Sequence, residues 1–313
     1  MRLSLSAALS PYDHVRGLQA RGIELNVQEL PIEEIFYRFT RFREWDLSEM
    51  SFGKTVALLS QNKPDIIALP VFLSRVFRHS AIYVGPGIGK PKDLEGRRIG
   101  VPEWSQTATI YVRGLLQHEY GVDLRSIDWY QAGVREAGRI EKVELRLPQG
   151  FRLTPVPGKS LVSMLANGEL DAVISARAIP ARRLFEDYQP LELAYFRQTR
   201  IFPIMHLAVL RREAYERNRW IAMNLAQAFE KAKRASLGRV AELGVSQIPL
   251  PWLAGHVQRW REVMGEDFWP YGIEPNRPTL EAFVQYAFEQ GVCRRKLAVE
   301  ELFAPETRES FKI

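Results

Sequence analysis

The sequence predicts an α/β protein of two domains, each a mostly parallel sheet flanked by helices, and three observations carry that prediction. Strand-like and helix-like segments alternate from the N-terminus to about residue 174, the pattern of β-α-β units. Two short continuous apolar runs, at residues 66–70 and 170–174, read as strands buried on both faces. Between them lies a clear break, Gly85-Pro86-Gly87-Ile88-Gly89-Lys90-Pro91, where we expect the chain to cross from one domain to the other. A chain of 313 residues is long enough for two domains of ordinary size.

Taken in order, Leu3–Leu9 alternates as a first strand, and residues 10–13 read as the turn after it. Residues 23–30 form a second strand with Ile23, Leu25 and Val27 on one face. Pro31 opens a helix over 33–43, with Ile35, Phe36, Phe39 and Phe42 on one stripe. Residues 44–50 are a short strand ending at Ser51-Phe52-Gly53, and a helix follows over 54–61. After the buried run at 66–70, residues 71–79 lead into a strand over 80–84.

The second unit opens with a strand over 97–101, which Pro102 stops. Ser105, Gln106 and Thr107 then offer N-cap chemistry ahead of the apolar face Ile110, Leu115 and Leu116, and Gly121 ends the helix. Free backbone N–H groups at such a helix start favour an anion, and a strand leading into one is a common cradle for a small acidic ligand. The alternative is a capped helix with no ligand. Residues 127–131 are a strand. Residues 133–158, with Pro148, Gly150, Pro155, Pro157 and Gly158, read as irregular. A helix over 160–167 stops at Gly168, and the buried strand 170–174 delivers Ser175-Ala176-Arg177. Residues 191–196 and 201–210 read as strands flanking Gln198-Thr199-Arg200. Helices follow over 213–242 and near 254–264, 280–290 and 299–303. There are no internal repeats and no low-complexity tracts.

Hydrophobic residues make up 46% of the chain and charged residues 26%, which excludes a disordered protein. No uncharged apolar run approaches the roughly 18 residues of a membrane span. The single cysteine, Cys293, permits no intrachain disulfide. The N-terminal apolar segment is too short for a signal peptide. Both features lead us to expect a reducing cytoplasm. The net charge is +6, and arginine supplies 33 of the 43 basic residues. The basic pairs Arg97-Arg98, Arg182-Arg183, Arg211-Arg212 and Arg294-Arg295 are scattered, with no basic stripe interleaved with aromatics, so we expect neither a nucleic-acid nor a membrane partner. An arginine-rich site for a small polyanion fits better, because the guanidinium fork grips carboxylates bidentately.

The order of elements resembles the type 2 periplasmic-binding-protein fold: two α/β lobes, two crossings and a ligand in the cleft between. Leu94-Glu-Gly-Arg-Arg-Ile-Gly-Val101 is similar to the strand opening its second lobe, and residues 160–174 are similar to a later helix–strand unit. Several strings are narrower. They are Glu44-Trp-Asp-Leu-Ser-Glu-Met-Ser-Phe52, Ala68-Leu-Pro-Val-Phe72, Ser74-Arg-Val-Phe-Arg-His-Ser80, Val101-Pro-Glu-Trp-Ser-Gln-Thr-Ala108, Ile174-Ser-Ala-Arg177 and Ile201-Phe-Pro-Ile-Met-His206. Together they resemble the 4,5-dihydroxyphthalate decarboxylase family, over residues 1 to about 235. With the breaks near 85–91 and 199–203, we expect residues 1–92 and 205–313 to form the first lobe, with the C-terminal helices, and 93–204 the second.

The resemblance implies loss of one carboxylate from a dihydroxylated phthalate, giving protocatechuate and carbon dioxide in the cytoplasm. A carboxylate para to a phenol can leave after its ring carbon is protonated, because the para oxygen pushes electrons into that carbon. The site then needs cations for two carboxylates, an acid aimed at the ring carbon, and a hydrogen-bond acceptor at the phenol. No cofactor is required as an electron sink, since the phenol supplies the electrons. The expected partner is the small anionic aromatic substrate, and a homo-oligomer is compatible with the sequence.

The candidates follow from that chemistry. Arg75 and Arg78 with His79 lie at the expected cleft or hinge, as a carboxylate clamp and a proton donor; the alternative is salt bridging between lobes. Arg177, with Ser175, follows a buried strand, and strand ends in such sheets face the crevice; the alternative for Arg177 is a surface ion pair. His206 enters the return strand and suits proton transfer near neutral pH; the alternative is a core histidine. Glu103 sits beside Trp104, where an indole could raise its pKa, although helix-start electrostatics favour the anion. Trp104, Ser105, Gln106, Thr107, Ser51 and Phe52 are ligand contacts or, alternatively, caps and core. His14 could reach the cleft, while His118 and His256 read as surface. The five histidines show no metal-ligand spacing, so no metal is expected. There is no phosphate-binding loop or dinucleotide fingerprint, and Cys293 lies away from the candidates. Two other readings compete: a solute-binding protein for an aromatic acid, and a relative of thiamine-pyrimidine synthase. The second needs a pyridoxal-type lysine and a cysteine-rich iron site, for which one cysteine offers little.

Overall fold

A computed structural model describes residues 2–245 and 247–309. The chain begins with strand β1 (Leu3–Leu9), β2 (Ile23–Glu29), helix α1 (Ile32–Phe42), β3 (Leu47–Ser51), helix α2 (Phe52–Leu59), β4 (Ile66–Ala68) and the two-residue β5 (Ser74–Arg75). It crosses to a second sheet through β6 (Ile82–Val84), β7 (Arg98–Val101), helix α3 (Thr107–His118), β8 (Asp128–Gly133), β9 (Arg152–Ser160), helix α4 (Leu161–Ala166), β10 (Ala172–Ile174), β11 (Arg182–Arg183) and helix α5 (Tyr188–Thr199). It returns with β12 (Ile204–Arg211) and closes with helices α6 (Arg212–Arg217), α7 (Trp220–Ala241), α8 (Leu253–Met264) and α9 (Arg277–Glu289).

The first sheet has the order β2-β1-β3-β12-β4, with β5 also on β12; the second is β11-β6-β10-β7-β8-β9. Both are mixed. β1 runs parallel to β2 and β3, and β7 runs parallel to β8 and β10, as expected where a helix reconnects strands of one sheet. β12 is antiparallel to β3, β4 and β5, and β6 is antiparallel to β10 and β11. These two are the strands that arrive from the other lobe. They owe their direction to the crossing and not to a local crossover.

The sheets are mixed where mostly parallel ones were expected, and three further details differ from the sequence reading. The crossing comes before β6, within residues 76–81, and not near 85–91, because β6 already hydrogen-bonds to the second sheet. The glycine-proline break is a loop inside the second lobe. Residues 152–160 form β9, where irregular chain was expected. It is a largely exposed edge strand, paired only with β8 in the sheet order, and so tolerates Pro155 and Pro157. Residues 191–196, expected as a strand, lie inside α5, whose buried residues Glu192, Tyr195 and Phe196 fall at helical spacing. A short apolar run does not by itself distinguish the two.

One apolar core runs through both lobes. Phe52 at the start of α2 stacks on Phe283 of α9 with ring centroids 4.2 Å apart, and Tyr111 of α3 lies 4.6 Å from the same ring. The C-terminal helix α9 therefore packs on both lobes and ties them together. A second core, with Leu5, Leu47, Leu210, Leu225 and Phe229, lies under α7, and a third, with Tyr83, Leu161, Met164 and Val173, lies under α4.

The lobes also meet directly at Gly53. Its N–H donates to Thr107 Oγ1 (2.9 Å), and Thr107 Oγ1 lies 2.9 Å from Ser51 Oγ. A Cβ on Gly53 would sit 2.2 Å from the Ser105 carbonyl oxygen, so only glycine permits this approach. We expect Gly53→Ala to force the two backbones apart and to cost about 1–3 kcal/mol. Urea unfolding of the variant should show the lower midpoint; an unchanged midpoint would mean that the contact yields freely.

Candidate active site

Between the two sheets lies a cleft of about 690 Å³. The first lobe lines it with Ile32, Glu33 and Phe36 from α1, Ser51 at the end of β3, Lys54 from α2, and Met205 and His206 from β12; Arg78 comes from the crossing segment. The second lobe contributes Glu103, Gln106, Thr107 and Ala108 before and within the start of α3, the loop from Gly133 to Lys142 after β8, and Ser175, Ala176 and Arg177 after β10. Six basic side chains (Lys54, Arg78, Arg135, Arg139, Lys142, Arg177) face three acidic ones (Glu33, Glu103, Glu136). The cleft is therefore suited to an anion.

His206 is held from behind. Its Nδ1 lies 2.8 Å from Glu49 Oε1. On the β3–β12 ladder His206 pairs with Ser51, and Glu49 pairs with Ala208, so the two side chains are diagonal neighbours on one face. Glu49 is fully buried and accepts two further hydrogen bonds, from the Tyr12 hydroxyl (2.7 Å) and the Ser10 N–H (3.0 Å). Burial first, then the Glu49 charge, pushes the Tyr12 phenol well above its ordinary pKa, so it stays a donor. Phe36 meets the imidazole edge-on with centroids 4.9 Å apart. With Nδ1 engaged, Nε2 is the nitrogen left for a ligand.

Arg78 lines the same cleft. Its Nε and Nη2 contact Met205 Sδ at 3.1 and 2.9 Å. No carboxylate lies within ion-pair distance of it among the described residues, and burial lowers its pKa to about 10. It remains a cation with a soft, weak acceptor against it, Met205 sulfur, and is suited to a carboxylate.

Glu103 behaves differently from the sequence expectation. It is fully buried, yet Lys54 Nζ (3.3 Å), Arg139 Nε (2.8 Å) and Lys142 Nζ (3.3 Å) surround it. Burial pushes its pKa up, but the charges of Lys54, Arg139 and Lys142 and the Arg139 hydrogen bond outweigh that, and the net shift is down. Glu103 is a carboxylate at neutral pH and not a stored proton. Lys54 comes from the first lobe and Glu103 from the second, so this ion pair spans the cleft. Glu33 adds looser contacts to Arg139, Lys142 and Arg177 at 3.4, 4.0 and 3.9 Å.

Of the residues singled out from sequence, the cleft gathers His206, Arg78, Arg177, Ser51, Glu103, Gln106, Thr107 and Ser175. Ser175 Oγ donates to the Arg177 carbonyl and accepts its N–H, shaping the turn that presents Arg177. Five others lie outside the cleft lining. His79 is buried among Tyr120, Phe185 and Tyr195, and burial lowers its pKa to about 4; the neighbouring Glu192, raised by burial to about 7, accepts its backbone N–H. Arg75 donates to the carbonyls of Phe202 and Pro270 and to Asn276 Oδ1, joining β5 to the segment before β12 and to the C-terminal chain. Trp104 is fully buried, donating to the Gln290 carbonyl and stacked under the Arg113 guanidinium at 3.7 Å. Ser105 is bound to Glu141, and Phe52 belongs to the inter-lobe core. His14 stacks on Tyr12 behind the site, His118 pairs with Glu289, and His256 is exposed. Sequence reasoning missed Glu49, Tyr12, Lys54 and Arg139. The available signal was an acid set in the middle of a buried strand, at Glu49. Among the described residues no three His, Cys, Asp or Glu side chains gather as a metal site requires, and no helix is long and apolar enough to cross a membrane.

No protein-family model matches the chain. A 4,5-dihydroxyphthalate decarboxylase of Comamonas testosteroni is 37% identical over 328 aligned positions, covering all of this chain and 99% of the relative. One of Pseudomonas putida is 38% identical over 185 positions, 56% of this chain and 72% of the relative. Among solved structures, the periplasmic sulfonate-binding protein SsuA of Methylobacillus flagellatus superposes with a TM-score of 0.52 at 15% identity, over 98% of this chain and 92% of that one. At that identity the likeness shows the fold alone.

The Glu103 cluster has a consequence for stability. Its folded pKa lies below the unfolded value of 4.5, so its contribution is fully present above about pH 4.5 and is lost as pH falls through the folded value. Glu103→Gln leaves Lys54 buried beside Arg139 and Lys142 with the half-exposed Glu33 as the remaining counter-charge, and we expect a loss of about 3–5 kcal/mol at neutral pH. Denaturant midpoints measured from pH 3 to 7 should rise with pH more steeply in the wild type than in the variant. Parallel curves would remove Glu103 from the balance.

Proposed function

The chain belongs to the 4,5-dihydroxyphthalate decarboxylase family, and on that premise we propose that it removes one carboxylate from 4,5-dihydroxyphthalate, releasing carbon dioxide and 3,4-dihydroxybenzoate. The observation that carries the reading is one cleft that joins a carboxylate-held histidine to a surplus of cations. A solute-binding protein for an aromatic acid would need the cations but not the histidine.

The substrate is a dianion with vicinal carboxylates. Arg78 from the crossing segment and Arg177 from the second lobe are the clamp, with Lys54, Arg139 and Lys142 supplying further positive potential. Fixing the ring in this way brings one carboxylate-bearing carbon to His206 Nε2. The imidazolium gives its proton to that carbon while the para phenol oxygen feeds electrons into the ring. The carbon–carbon bond then breaks, its electron pair restores the aromatic ring, and carbon dioxide departs. One proton is consumed, one C–C bond is broken and one C–H bond is formed, with no external oxidant or reductant. His206 is reprotonated from solvent through the open side of the cleft. Cys293, buried and unpaired, accords with a reducing, cytoplasmic setting.

A positioned acid contributes about 10²–10⁴-fold, so we expect His206→Asn to lower kcat by such a factor while circular dichroism shows the fold intact. In heavy water the product should carry one deuterium at the carbon that lost carbon dioxide. Full turnover in the variant would remove His206 from the reaction. Arg78→Ala should weaken substrate binding by about 1.5–3 kcal/mol, the worth of a hydrogen bond to a charged group, read as a rise in KM of roughly 10- to 150-fold. An unaltered KM would place the clamp elsewhere.

A further inference from the structure

We infer that Glu49 is a positioning residue for the reaction: it holds His206 with Nδ1 protonated and Nε2 aimed at the cleft, and Tyr12 tunes how strongly it does so. The inference rests on the proposed role of His206 and deepens it. Glu49 has no route to the substrate of its own. It is fully buried behind the histidine, and its three hydrogen bonds come from His206 Nδ1, the Tyr12 hydroxyl and the Ser10 N–H.

A carboxylate among buried strands is costly to desolvate unless it is paired. The sequence places one at the centre of β3, where an apolar residue would pack at no such cost. What it obtains there is a fixed imidazole. Nδ1–H bound to Glu49 removes one tautomer of neutral His206 and stabilises the imidazolium, the form that can donate from Nε2. The Tyr12 hydroxyl competes for the same oxygen: it donates to Glu49 Oε1 at 2.7 Å and stands 3.4 Å from His206 Nδ1. By taking up part of the charge on Oε1, Tyr12 weakens the pull of Glu49 on the imidazolium. The other groups facing the pair are His14, stacked on Tyr12 at 5.0 Å, Phe36, which is uncharged, and on the cleft side Lys54, Arg78 and Glu33. Lys54 and Arg78 oppose an imidazolium, which makes the Glu49 charge more necessary.

The two partners should therefore act in opposite directions. The test follows the His206 imidazole by ¹⁵N NMR against pH in the full-length enzyme, together with kcat/KM for 4,5-dihydroxyphthalate over the same range, in wild type, Glu49→Gln and Tyr12→Phe. In Glu49→Gln the imidazole titration and the alkaline limb of the rate profile should both move to lower pH. kcat should fall at least about tenfold, and KM should change less than kcat. In Tyr12→Phe the titration and the limb should move to higher pH. Shifts of the same sign in both variants, or no shift in Glu49→Gln, would overturn the assignment. If Glu49→Gln fails to fold, the direction of the Tyr12→Phe shift decides alone. The NMR titration is read without turnover. If His206→Asn proves fully active, the catalytic reading falls while the titration still reports whether Glu49 sets the histidine.

Discussion

The cleft depends on a charge balance struck inside it. Glu103 is a buried carboxylate held by Lys54 from the opposite lobe and by Arg139 and Lys142 from its own. Each of these charges would be expensive alone in a low-dielectric setting, and each is tolerable because of the others. The pairing draws the lobes together where Gly53 and Thr107 also meet. It leaves the cleft walls positive, because the basic side chains outnumber the acidic ones even after Glu33 and Glu103 are counted. An anionic ligand completes a balance that the protein leaves open.

The two histidines that sequence put forward show how burial separates chemistry from structure. His79 and His206 both sit next to a crossing between lobes. His79 is enclosed by aromatic rings, and burial alone drives its pKa down to about 4, so at neutral pH it is an uncharged core residue. His206 has a carboxylate on one nitrogen and the cleft on the other. Residue type and chain position are the same in kind. Partner and exposure, which no local pattern encodes, decide between them. The arginines divide in the same way. Arg75 is consumed by carbonyls and Asn276, while the guanidinium of Arg78, three residues on, lies against Met205 sulfur.

Local patterns were legible where they were strong. β1, α1, the buried runs of β4 and β10, and the strand-to-helix turn at Pro102 all follow from periodicity and breakers. What escaped was set by tertiary context. β9 carries prolines that only an edge position allows, α5 shares its short apolar run with a strand pattern, and the lobe boundary is defined by which sheet β6 joins and not by the glycine-rich loop after it. At the site, the strand ends and the turn before α3 pointed to the cleft. Glu49 did not stand out, because its role appears only when β12 returns beside β3 and sets Ala208 opposite it. A long-range register made that contact.

The same electrostatics bear on release. On the proposed reaction the ligand enters with two carboxylates and leaves with one, the other having departed as a neutral gas. A cleft whose attraction comes from a surplus of cations holds a dianion more strongly than a monoanion, since the Coulomb energy scales with the ligand charge. The positive wall that binds the substrate therefore loosens on the product without any moving part. The 3,4-dihydroxybenzoate that remains still has a carboxylate para to a phenol, so its intrinsic chemistry would permit a second loss. With its one carboxylate on the clamp, the carbon over His206 bears only the hydrogen just delivered. Stopping after one carboxylate is then a matter of position, set by a clamp and an acid that address two neighbouring ring carbons.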